Sequence, residues 1–102
     1  MAWQLILQFR DRSIEDVDEV ARFEDALHEV LEVAEALDGH AIEPAARNVF
    51  VVTEDPAATF ARLLPFLARA GLDASVGAAF RREGADVLTP LWPPGRDAFS
   101  LT

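Results

Sequence analysis

The chain has 102 residues, no cysteine, 51% hydrophobic residues and a net charge of −9. That length reads as one domain, 1–102, and the missing cysteines exclude disulfides, thiolate chemistry and cysteine-held zinc. The negative balance opposes binding to nucleic acid or to anionic membranes and favours a basic partner.

Trp3, Leu5, Leu7 and Phe9 alternate with Gln4, Ile6, Gln8 and Arg10. Period two predicts a strand with one buried face and one face toward solvent. The N-terminal run carries no basic segment or cleavage site, and no apolar run reaches about 18 residues, so a cytoplasmic location is expected. A long helix follows. Ser13 is the expected N-cap, with Asp16 three residues on. Val17, Val20, Phe23, Leu27, Val30, Leu31, Ala34 and Leu37 recur at helical spacing, and Gly39 after Asp38 is the expected stop.

Residues 40–46 predict a short edge strand and a turn broken by Pro44. Asn48 to Thr53 is short, apolar and β-branched, which predicts a central strand. Asp55-Pro56 places an N-cap residue before proline, a helix start. Phe60, Leu63, Leu64 and Leu67 give that helix its apolar face, and Gly71 ends it. Pro65 should kink it, because one ladder hydrogen bond is missing. Ser75–Arg82 and Asp86–Trp92 flank the turn signal Glu83-Gly84, and about 93–102 reads as an extended C-terminal tail.

The order β-α-β-β-α-β plus a C-terminal strand predicts an α+β fold. Its expected form is a ferredoxin-like two-layer sandwich, an antiparallel sheet with two helices on one face. Without the short strand at 40–43 the order would become β-α-β-α-β-β, a small α/β fold. The runs Asp38-Gly39-His40, Asn48-Val49-Phe50, Thr53-Glu54-Asp55-Pro56 and Leu91-Trp92-Pro93 resemble an uncharacterised group of small bacterial α+β proteins. Its motifs are of the type DGH…N(I/V)F…T(D/E)DP…LWP. The resemblance runs from about residue 38 to 93 with the same element order. It implies the fold and a bacterial source, and no activity.

Charge is concentrated. Residues 14–38 hold ten acids and one base, Arg22, while the remaining eight acids and eight arginines cancel. On a continuous helix Asp18, Glu24, Asp25, Glu29, Glu32 and Glu35 would share the face away from the apolar stripe. They are the candidate partner-binding residues, since opposite potentials speed association. The plainer alternative is a solvated helix. A calcium site lacks the loop spacing and would splay its ligands. His28, one turn from Glu24 and Glu32, suits a surface ion pair better than a metal pair. His40 suits a helix cap better than catalysis, with no nucleophile near it in sequence. The sheet face bearing Gln4, Ile6, Gln8 and Arg10 is either solvated or a homodimer interface. Trp92 among prolines reads first as a staple onto the core. Without a phosphate loop, zinc spacing or nucleophile elbow, no cofactor, metal or catalytic set is expected.

The expected function is a non-catalytic protein-binding module, immunity-protein-like, docking a basic partner through its acidic first helix. The alternative is a dimeric small-ligand sensor or regulatory domain, with Asn48, Thr53 and Arg81 as its polar hints. A second alternative is a small enzyme using His40 and a carboxylate.

Overall fold

In the computed structural model, which describes residues 2–11, 13–95 and 98–102, the first alternating run becomes β1 (Trp3–Phe9), the middle strand of a five-stranded sheet. The first helix is shorter than expected. It is α1 (Val17–His28), and its N-cap is Asp16 rather than Ser13. The Asp16 carboxylate accepts from the Glu19 N–H at 2.9 Å, and the Glu19 carboxylate accepts from the Asp16 N–H at 3.4 Å. This is a capping box set three residues later than Ser13 implied. Val20, Phe23 and Leu27 are the buried stripe.

Residues beyond His28 leave the helix, although their apolar spacing continues. Val30 and Leu31 N–H both donate to the Leu27 carbonyl, and Glu35 N–H donates to that of Glu32, so the chain turns twice. A continued helix would stack Asp25, Glu29 and Glu32 as uncompensated neighbours and would need β-branched Val30 and Val33 in its interior. The turn instead sends Glu32 and Glu35 toward an arginine on another element. Local periodicity loses to that tertiary pairing.

The strand expected at 40–43 is therefore longer, β2 (Ala36–Ile42), and lies at the sheet edge. Gly39 is not a helix stop. It sits inside β2 at φ +88°, where the register against its neighbour skips between Leu37 and His40. That is a bulge requiring a residue that tolerates positive φ. A Cβ at Gly39 would meet nothing within 4 Å, so Gly39→Ala acts through the backbone alone. We expect a loss of about 1 kcal/mol in urea unfolding, the left-handed strain being partly offset by lower unfolded-chain entropy.

The central apolar run forms β3 (Arg47–Thr53), and Asp55-Pro56 opens α2 (Pro56–Arg69) as expected. The Asp55 side chain accepts from the Ala58 N–H at 3.1 Å. Pro65 lies inside α2 on its exposed side, and the helix continues past it to Arg69. Gly71, at φ +75°, closes α2: its N–H donates to Ala68 and the Leu72 N–H to Leu67. This double bond pattern is a Schellman end. β4 (Val76–Arg82) turns through Gly84 toward β5 (Thr89–Trp92). β5 is shorter than expected, since residues 86–88 stay outside the ladder.

The sheet order is β2-β3-β1-β4-β5, antiparallel throughout. Leu5, Leu7 and Phe9 of β1, Val49 and Val51 of β3 and Ala78 of β4 share one face. They form the core with the α1 stripe and with Phe60, Leu63 and Leu67 of α2. The protein is thus α+β, with both helices on one side of the sheet. Among the described residues no helix is long and apolar enough to cross a membrane.

The opposite face is not open, contrary to its expected solvation. Ile6, Gln8, Asn48 and Ala79 point away from the helices and are nonetheless buried. Residues 98–102 return across this face: Gln8 Nε2 donates to the Ser100 carbonyl at 2.6 Å and Asn48 Nδ2 to that of Leu101 at 2.7 Å. Farther along, Arg81 Nε donates to Gln4 Oε1 and Gln4 Nε2 to Asp38 Oδ2, a polar ladder across the strands.

Candidate functional site

The six candidate acids do not lie on one helix face. Asp18, Glu24 and Asp25 are on α1, Glu29 is its C-cap, and Glu32 and Glu35 belong to the turn before β2. The helical-wheel placement fails where the helix ends. Three of the six are engaged within the fold. Glu24 Oε1 lies 3.0 Å from His40 Nδ1, joining α1 to β2. Glu32 Oε1 lies 3.4 Å from Arg62 Nε. Glu35 is the most enclosed, its side chain 7% exposed. Asp18, Asp25 and Glu29 are exposed and have no ion-pair partner among the described residues.

Glu35 is held from several sides. Its Oε2 accepts from Thr59 Oγ1 at 2.7 Å, and its Oε1 accepts from the Glu32 N–H at 2.9 Å and from Arg62 Nη2. Thr59 in turn shares a 2.7 Å hydroxyl contact with Thr53, and Thr53 Oγ1 accepts from the Asp55 N–H. Burial alone would raise the Glu35 pKa. The donated bonds from Glu32, Arg62 and Thr59 outweigh it and hold the carboxyl below its ordinary value. Arg62 also donates to the Val30 carbonyl at 2.8 Å, so with Glu32 and Glu35 it fastens the turn at three points. The sequence reading missed Arg62 and Thr59. Their signal was faint: two polar residues one helical turn apart, flanking the apolar face of α2.

The remaining candidates resolve as follows. His28 ends α1 and has left Glu32 behind, so the expected Glu24–His28–Glu32 row is not formed. His40 is a strand residue paired with Glu24, not a helix cap. Trp92 packs on Phe60 with ring centroids 5.6 Å apart, at the margin of the core. The polar hints Asn48, Thr53 and Arg81 are all spent on internal hydrogen bonds. Among the described residues no three histidine or acidic side chains converge as a metal set.

Among the described residues, three of the surface concavities stand out. One, of about 390 Å³, lies beside the returning tail and is lined by Gln8, Arg10, Ser75 and Trp92 among others. A second, of about 260 Å³, borders the Glu35–Thr59–Arg62 cluster. A third, of about 270 Å³, runs between the helices past Phe23 and Phe66. His40 and Glu24 line none of these three. No family model, curated protein or solved structure matches the chain.

Proposed function

We propose that this chain is a non-catalytic protein-binding module that docks a basic partner through α1 and the turn that follows. One observation carries the reading: the whole net charge of −9 is concentrated in residues 14–38, which form α1, its N-terminal cap, the turn that follows and the start of edge strand β2. Like charges gathered on one flank set up a potential that steers a cationic surface toward it. Asp18, Asp25, Glu29 and Glu32 form the contact surface, while Glu24 and Glu35 hold it in place. An immunity-protein-like role, masking the basic surface of a toxic enzyme, has this physics and rests on analogy. The strand order, with β5 added outside β4, supports the ferredoxin-like form of the fold. A bacterial source, the small-protein group named above and a cytoplasmic site of action belong to the same reading.

The test changes only the exposed acids. The wild-type protein and a variant carrying Asp18→Asn, Asp25→Asn, Glu29→Gln and Glu32→Gln are immobilised and compared for capture from a bacterial lysate at low and high salt. The expected result is a basic protein held by the wild type, released by salt and lost by the variant. Equal recovery on both surfaces would reduce the acidic flank to solvation.

A further inference from the structure

Gln8 and Asn48 sit on the adjacent inner strands β1 and β3, face away from both helices, and are 1% and 0% exposed. Buried amides are tolerated only when hydrogen-bonded, and here the bonds form a chain. Arg10 Nε donates to Gln8 Oε1 at 3.1 Å, and Gln8 Nε2 donates to Asn48 Oδ1 at 2.8 Å. Each side chain orients the next. Further donors of the three side chains reach residues 100–102. Gln8 Nε2 reaches the Ser100 oxygen, Asn48 Nδ2 that of Leu101, and Arg10 Nη2 those of Ser100 and Thr102 at 3.0 and 2.9 Å. All of these acceptors are main-chain oxygens, so the three side chains read a backbone and not a side-chain sequence. Along the segment Phe99 and Leu101 are half-buried while Ala98, Ser100 and Thr102 are exposed, so alternate side chains face the sheet. Gln8 and Arg10 also line the cavity of about 390 Å³.

We propose that this face is a peptide-binding site for an extended segment of a partner protein with apolar residues at alternate positions, and that residues 98–102 are its intramolecular occupant. The site is separate from the acidic flank and would work whatever binds there. Its donors are preorganised by one another, so little ordering is left to the binding step. A tethered occupant has an effective concentration on the order of millimolar, so the tail screens the site against weak ligands and yields to tight ones.

The test severs the tether after folding. A protease recognition sequence is inserted after Gly95, the folded protein is cut and dialysed, and a fluorescent peptide of sequence Ala-Phe-Ser-Leu-Thr is titrated in. The expected result is saturable binding to the cut protein and at least about tenfold weaker apparent binding to the uncut one. A peptide with a reduced Ser-Leu bond, lacking the Ser100 carbonyl, should bind about tenfold more weakly to the cut protein, equivalent to roughly 1.4 kcal/mol. Asn48→Leu in the cut protein should weaken the normal peptide similarly. The ligand change carries the conclusion if that variant does not fold. No saturable binding at about 1 mM, equal binding of the reduced peptide, or unfolding on cleavage would each overturn the proposal; the last would make the segment part of the core structure.

Discussion

Leu7→Ala is expected to destabilise the protein by about 3 kcal/mol, inside the range of 2–5 kcal/mol for buried leucines, and to lower Tm by roughly 15 °C. Leu7 is fully buried on the middle strand, between Val49 on β3 and Ala78 on β4, beneath both helices. Ala78 is too small to swing into the space, and Val49 is stiff at χ1, so the site cannot collapse and a cavity remains. Leu7→Met, which conserves volume, should cost less than about 1.5 kcal/mol. Urea unfolding checks both values. An alanine cost below about 1 kcal/mol would mean that the surrounding side chains refill the site, against the packing described here.

Glu35→Ala carries the second large effect, a loss of about 2–3 kcal/mol. The change removes the acceptor for Thr59, Arg62 and the Glu32 N–H at once. Breaking an enclosed ion pair ordinarily costs more. Arg62, however, is 33% exposed, so water can take part of its charge. Glu35→Gln keeps one acceptor oxygen and should cost about 1–2 kcal/mol. The pH dependence separates charge from packing. The Glu35 carboxyl titrates below its ordinary value in the folded state. Its contribution is therefore complete above the unfolded value of about 4.3, and is lost as pH falls through the lower folded value. Asp11 adds to the same acid limb. Hydrogen bonds from the Ser13 hydroxyl and N–H, then from Ser75, hold it low, with burial opposing. Unfolding measured from pH 7 down to about 2 should show a shallower acid loss for Glu35→Gln than for the wild type, with the Asp11 part remaining. Parallel curves would show that the Glu35 charge does not contribute.

Most elements that announce themselves within four or so residues were legible, the Asp16–Glu19 capping box being the exception. The period-two run of β1, the β-branched run of β3, and the Asp55-Pro56 start and Gly71 end of α2 are all where local chemistry puts them. Each of these signals rests on atoms that are neighbours in the chain: an alternating pleat, a capping oxygen, a residue free to take positive φ. The acidic concentration in 14–38 was equally plain, because charge counting needs no geometry.

The candidate site was only half legible. Helical spacing after His28 was genuine and misleading, since Val30, Leu31 and Leu37 do pack against the core but from turns and a strand. Nothing within that window points to Arg62, 27 residues from Glu35, which makes the turn favourable. Likewise the alternation of β1 marks Gln8 as a solvent-facing residue, and its actual neighbour is Ser100, 92 residues on.

The sequence by itself determined an α+β chain, the start of its second helix, the central strands and an acidic stretch, because those follow from local periodicity, capping and composition. Only the tertiary structure decided where α1 ends, which glycine makes a bulge, which acids are paired within the fold, and that the second sheet face is covered by the chain's own tail. Each of those outcomes is a competition between a local preference worth tenths of a kcal/mol and a buried hydrogen bond or ion pair worth about 1 kcal/mol or more. The partner that wins it lies tens of residues away.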